Sequence, residues 1–400
     1  MTEKRNKDRN VPTLRFPGFD ENWKSSMIGE LMDFKVTNSL SREKLNYTFG
    51  TVKNIHYGDI HTKFHTLFDI QNEEVPFINN DVPLNKIHEE CFCKNGDLVF
   101  ADASEDLNDI GKCIEILNTE NQKLLAGLHT LLGRPKPNIF YPGFAGYLFL
   151  SQKVRTQIQR EAQGAKVLGI SVGRISKVEL NYPSLDEQKK ISKFLSIIDT
   201  RIQTQNKIIE QLESLIKAIG QYLFNQDKFE FNYIKLGEIC EIKKGEQING
   251  SELSEIGQYP VINGGIAPSG FHSEYNCNAG TITISEGGNS CGFVQFMTRQ
   301  FWSGGHCYSL HNVNQSVQNK YLFYFLKYSE SKMMSLRVGS GLPNIQRNAI
   351  SNFEIIIPNE QTQTLTVNVL DAIYNKRESE KAILQLVKNQ KNYFLNKLFK

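Results

Sequence analysis

Apolar residues recur at alternating steps of four and three along one stretch: Ile191, Leu195, Ile198, Ile202, Ile209, Leu212, Ile216, Ile219 and Leu223. Gln205 stands where one more apolar residue is due. This is a heptad seam. A single helix cannot bury such a stripe, so the pattern predicts a long helix with a helical partner; a polar seam residue can fix register. A looser seam closes the chain, with Leu370, Ile373, Leu384, Val387, Phe394 and Leu398 interrupted by Arg377, Glu380 and Lys391. The interruptions make the second helix a poor partner for itself. They suit a helix that packs on the first and also faces another protein. About 40 residues at 1.5 Å each span roughly 60 Å, more than the width of a small domain.

Elsewhere the apolar runs are short and broken by glycine and asparagine. Gly96-Asp97-Leu98-Val99-Phe100 and Gly280-Thr281-Ile282-Thr283-Ile284 predict strands. The apolar runs at 144–150 and 355–357 are strand-sized, and a helix is expected over 321–331. Landmarks then repeat. Met27-Ile28-Gly29-Glu30-Leu31 is echoed by Lys235-Leu236-Gly237-Glu238-Ile239, each reading as a strand edge and a turn. Ile175-Ser176-Lys177-Val178-Glu179-Leu180 is echoed by Ile350-Ser351-Asn352-Phe353-Glu354-Ile355. Pro183 and Pro358 follow, then Glu187-Gln188 and Glu360-Gln361, then the long helices. Four landmarks in one order imply two copies of one unit. The expected fold is α/β (α+β): a lead-in at 1–22, globular domains at 23–183 and 227–358, and helices at 184–226 and 359–400 forming an antiparallel coiled coil. Such a rod would hold the two domains about a pseudo-two-fold, and duplex DNA has a two-fold as well. Two heads could equally bridge two proteins.

The net charge of +3, from 46 basic and 43 acidic residues, points only weakly to nucleic acid. It allows one basic face on a large protein. At 40% hydrophobic the chain is globular. The polar first ten residues do not resemble a signal peptide, and no apolar run nears the ~20 residues of a spanning helix, so a cytoplasmic protein without a membrane partner is expected. Cys91, Cys93, Cys113, Cys240, Cys277, Cys291 and Cys307 make an odd count without a C-x-x-C pair, which suits reduced thiols. His88, Cys91 and Cys93 read as a loop with small buried thiols, and no metal is expected.

Catalytic signatures are missing. An adenine methyltransferase needs an Asn/Asp-Pro-Pro-aromatic loop and a glycine-rich cofactor turn. Asn181-Tyr182-Pro183 and Gly264-Gly265 come nearest, and both fit turns. There is no phosphate-binding G-x-x-x-x-G-K-[ST] loop. Glu241-Ile242-Lys243 mimics only a fragment of a metal-nuclease signature. His306 and Cys307, as strand neighbours, would point to opposite faces.

Val11-Pro12-Thr13-Leu14-Arg15-Phe16-Pro17-Gly18-Phe19 with Trp23 leads into the first domain and Leu236-Gly237-Glu238 into the second. Phe301-Trp302-Ser303-Gly304-Gly305, Gly339-Ser340-Gly341-Leu342-Pro343-Asn344-Ile345 and the run from Pro183 through Glu187-Gln188 into the heptads add to them. In these motifs and their order the chain resembles the specificity subunits of type I restriction–modification systems. The second helix departs from the pattern, with Thr362, Thr364 and Thr366 where a lysine-rich start is usual. The resemblance implies two target-recognition domains on double-stranded DNA and a non-catalytic chain that binds no cofactor. Two methyltransferase subunits with S-adenosylmethionine would clamp the coiled coil, and restriction/translocase subunits with ATP and Mg would join outside them.

Phosphate contacts need Lys, Arg and small polar groups, while bases are read by Arg or Lys on guanine and Asn or Gln on adenine. In the first domain the candidates are Lys53, Asn54, Arg134, Lys166 and Arg174, the last two bracketing the glycines of 169–173. In the second they are Lys243, Lys244, Asn289, Ser290, Ser340, Asn344, Gln346 and Arg347. Trp302 could stack near DNA but reads better as core. A protein-bridging scaffold is the alternative and predicts salt-insensitive binding, whereas phosphate-dominated binding weakens steeply with salt. An unrecognised enzyme would instead show a pocket of clustered titratable groups.

Overall fold

The computed structural model describes residues 10–85, 87–224, 233–339, 341 and 343–399. The α+β chain divides into two units, Met1–Thr204 with Ile383–Lys400, and Gln205–Ala382.

The first unit is built on a five-stranded sheet in the order Met32–Lys35, Thr130–Pro135, Leu98–Ala101, Cys113–Asn118, Leu67–Asp69. Every residue of the central strand Leu98–Ala101 is buried, because both faces are covered. A four-stranded sheet, Lys123–Ala126, Val52–Ile55, Phe77–Ile78 and Leu45–Asn46, completes the β structure. The apolar run Phe144–Leu150 is a helix and not a strand. A run this short carries no period that separates the two. Its first amides are satisfied from below: the carboxylate of Glu115 accepts from Gly143 N and Gly146 N, each at 2.6 Å.

The second unit repeats this frame with fewer strands. Its sheets are Glu241–Lys244, Cys307–His311, Thr281–Ser285, Val294–Met297 and Gly270–His272, Tyr259–Ile262, Trp302–Ser303. The helix expected over 321–331 is two helices, Asn319–Tyr328 and Glu330–Ser335, divided at Ser329.

The repeated landmarks form one clasp in each unit. Lys24–Met27 pairs antiparallel with Glu179–Tyr182, and Tyr233–Lys235 with Glu354–Ile356. The residues expected as turns are one-turn helices, Ile28–Leu31 and Leu236–Ile239. Ile28 N donates to Val178 O and Leu236 N to Phe353 O, both at 2.9 Å. A Cβ on Gly237 would lie 1.9 Å from Ser351 Oγ, so a larger residue there would force that side chain aside.

The two long helices are Leu185–Phe224, of 40 residues, and Glu360–Leu398, of 39. They run antiparallel in each unit. In the first, Phe194 meets Phe394 edge-on at 4.8 Å, and Asp199 Oδ1 lies 2.5 Å from Lys391 Nζ. In the second, the seam residue Gln205 donates to the carbonyl of Glu380 at 3.2 Å and to its carboxylate. Ile191, Leu195, Ile198, Ile209, Leu370 and Val387 are buried; Ile202, Leu212, Ile216, Ile219, Leu223, Ile373 and Leu384 are half-buried. Each interruption has its own partner: Lys391 the Asp199 carboxylate, Arg377 the Tyr374 ring at 4.5 Å, and Glu380 the amide of Gln205.

The Glu-Gln landmark needs a shift of two residues. Gln188 donates to Ile139 O and Pro183 O and accepts from Tyr141 N. The residue making the same three bonds in the second unit, to Ser316 O, Pro358 O and Gln318 N, is Gln363 rather than Gln361. In that alignment buried Thr366 takes the place of Ile191, which accounts for the looser second seam.

Candidate nucleic-acid interface

In each unit the central strand ends at an acid, Asp102 in the first and Glu286 in the second. The same backbone bonds then tie three loops around it. Asp102 N donates to His129 O at 3.0 Å, as Glu286 N does to His306 O at 2.9 Å. Ile170 N donates to Asp102 O at 2.9 Å, as Ile345 N does to Glu286 O at 2.8 Å. Gly127 N to Ile55 O and Gly304 N to Ile262 O are both 2.8 Å. A loop in one unit therefore has a defined counterpart in the other. The segment 163–172 matches 338–347, and 127–129 matches 304–306.

Side chains complete the match. His129 Nδ1 lies 3.2 Å from Asp102 Oδ1, and His306 Nδ1 lies 3.4 Å from Glu286 Oε2. Sequence reasoning passed over this pair of pairs. The available signal was the repeated G-x-H at Gly127-Leu128-His129 and Gly304-Gly305-His306. Around His129 stands Tyr57, whose ring lies 5.2 Å away and edge-on, with His56 against the same tyrosine at 4.7 Å. Burial, then Arg42, holds the His56 imidazole below its usual range. Burial also pushes the Asp102 carboxyl up, against the pull of His129. Around Glu286, Lys244 Nζ lies at 2.6 Å and Tyr308 Oη at 3.1 Å. Burial would raise the Glu286 carboxyl, but bonds from Lys244, Tyr308 and His306 together hold it low.

The structure gathers several of the predicted residues here. Lys244 grips Glu286, and the hydroxyl of Ser290 donates to Gly264 O. Asn344 pairs with Val338 through both backbone bonds and accepts from Gln346 Nε2 at 3.2 Å. Asn289 and Gln346 are exposed in the same loops, and Arg347 is exposed at the start of the helix Arg347–Ser351. Ser340 lies outside the described residues. In the first unit Asn54 is buried and accepts from Asn38 Nδ2 at 2.7 Å, with its own Nδ2 unpaired. Lys53 lies over the Phe77 ring at 5.3 Å, and burial holds its ammonium below the usual value. Lys166 is exposed on the 163–172 loop, and Arg174, just beyond it, reaches Glu161 O at 3.3 Å.

Two candidates sit elsewhere. Arg134 forks onto Asp97 at 2.8 and 2.6 Å and reaches Glu90 O and Phe92 O. Lys243, on the opposite strand face from Lys244, lies 3.3 Å from Glu241. Trp302, expected in the core, is half-buried: its Nε1 donates to Glu246 O at 3.1 Å and its ring meets His272 at 5.0 Å. Trp23 is the buried tryptophan. Among the described residues no three His, Cys, Asp or Glu side chains converge as metal ligands, and no helix is long and apolar enough to cross a membrane.

A duplicated α+β head with candidate contacts on the matched 163–172 and 338–347 loops, each copy leading into one of two antiparallel helices, defines a paired recognition protein. Residues 20–214 and 229–389 each match the family described as type I restriction modification DNA specificity domain, and the chain belongs to that family. It is a specificity subunit of the type I restriction–modification class. A Methanocaldococcus jannaschii chain named as the specificity subunit of type I restriction enzyme MjaX is 23% identical, over 98% of this chain and 96% of its own length. The crystal structure of the S subunit of a type I restriction-modification system from M. genitalium superposes with a TM-score of 0.68 at 19% identity, covering 98% of this chain and 99% of that one. A chain from a structural study of complex assembly in a type I R-M system gives 0.56 at 16% identity, covering 97% and 99%.

Proposed function

We propose that each unit reads one half of a split DNA target through the loops that meet around Asp102 and Glu286. The two long helices would set the gap between half-sites and dock two methyltransferase subunits, with restriction/translocase subunits outside them. The chain supplies no chemistry of its own; S-adenosylmethionine, ATP and Mg belong to the partners. The observation that carries this reading is the loop frame, whose backbone bonds are the same in both units while most side chains on it differ. Equal scaffolds with unequal loops suit two different half-sites. Ile197, Leu215, Leu365, Leu386 and Tyr393 stand exposed on the long helices and offer apolar ground for docking.

The test is co-expression with the products of neighbouring genes, followed by genome-wide mapping of adenine methylation. Methylation at one split motif, lost when this chain is left out, is the expected result. A stable complex that methylates nothing, and whose DNA binding is indifferent to salt, would refute the reading.

A further inference from the structure

Two copies of a fold diverge where their tasks differ and agree where their tasks are shared. By strand register, Tyr57 in the first unit corresponds to Gly264 in the second, and Val36 to Lys244. Val172 corresponds to Arg347 by the matched backbone bonds of the 163–172 and 338–347 loops. The acid–imidazole pair stands in both copies, although the acid is Asp102 in one and Glu286 in the other. Positions that differ can distinguish one half-site from another. A pair present in both heads serves what every half-site has, and that is the phosphodiester backbone.

The geometry suits a phosphate contact. Nδ1 of each ring faces its carboxylate, which fixes ring orientation. The side chains of His129 and His306 are 50% and 61% exposed, and Nε2 of neither has a hydrogen-bond partner among the described residues. Resting on the DNA-reading function above, we infer that His129 and His306 each hold a backbone phosphate. The imidazolium form donates Nδ1–H to the carboxylate and Nε2–H to a phosphate oxygen. A ring that is neutral before binding takes up one proton from solvent. The titratable and charged groups facing His129 are Asp102, His56 and Tyr57, with His61 against the far side of Tyr57 at 5.8 Å. Those facing His306 are Glu286 and, on the same carboxylate, Lys244 and Tyr308.

The full chain, assembled with its modification subunits, would be titrated with a labelled duplex carrying the mapped target and with a random-sequence duplex. His129→Gln and His306→Gln should each weaken both by a similar factor, roughly three- to tenfold, and reduce the salt slope by about one. His129→Arg with His306→Arg should restore both the affinity and the salt slope on both duplexes, a pattern that misfolding cannot produce. Weakening confined to the target duplex would make the rings base readers, and unchanged affinity would leave the pairs as loop clasps. Either result overturns the assignment. A wild-type complex that binds neither duplex would overturn the DNA reading beneath it as well.

Discussion

Glu115 shows how much of a site's chemistry is set by surroundings that sequence does not display. Its carboxyl is 1% exposed and caps the helix Phe144–Leu150 through Gly143 N and Gly146 N. Burial pushes its pKa up to about 7, against those two bonds. The folded state thus favours the protonated form. Its stability is full below the unfolded pKa and is lost as pH rises through about 7, by on the order of 3 kcal/mol. Urea midpoints should therefore fall between about pH 5 and pH 8, and Glu115→Gln should flatten that fall. Parallel curves for the two proteins would mean that the amides keep the carboxylate ionised. The same dependence on surroundings separates the DNA candidates. Residue type alone nominated Arg134 beside Arg347, yet one is locked on Asp97 and the other stands exposed at the start of the helix Arg347–Ser351. His129 and His306 went unnominated because histidine is not a favoured reader of bases and their acids lie far off in sequence.

The long helices were legible as elements because their period is local. The partner of Gln205 was not, since it lies 175 residues away. Gln205 and Glu380 each stand 22 residues beyond their unit's proline, Pro183 and Pro358, so one seam position meets its own counterpart. Gln205→Leu leaves the Glu380 carboxylate with Lys376 alone, and Glu380→Leu leaves a buried amide with only a carbonyl to bond. Each should lower the thermal midpoint by a few degrees. Gln205→Leu combined with Glu380→Leu should recover most of the loss, because an apolar pair removes both unmet needs. Additive losses in a calorimetric scan would show that the two side chains act independently. Phe144–Leu150 marks the opposite limit: an apolar run with no period was read as strand-sized, and the carboxylate that caps its helix lies 28 and 31 residues from the amides it holds.

For the molecule as a whole, order was the most legible property. The four landmarks marked the duplication before any contact was known; the first two close each unit through the same clasp, while the Glu-Gln landmark aligns only after a shift of two residues. The loop equivalences were hidden, since they depend on strand register and on backbone bonds between distant segments. Duplication also yields a prediction for the assembled complex. One helical turn, about 5.4 Å, inserted in both long helices should lengthen the gap in the methylated motif by one or two base pairs. An unchanged gap on methylation mapping would sink the idea that helix length sets spacing. The meeting of Gln205 with Glu380 carries a further consequence. If the second copy alone were to self-associate through this seam, it would bring Glu380 against Glu380, two like charges that repel even with Lys376 beside each. The first copy alone would set amide against amide. Having one of each at this position gives the joined chain a neutral donor against the carboxylate, a match that the second copy cannot make with itself.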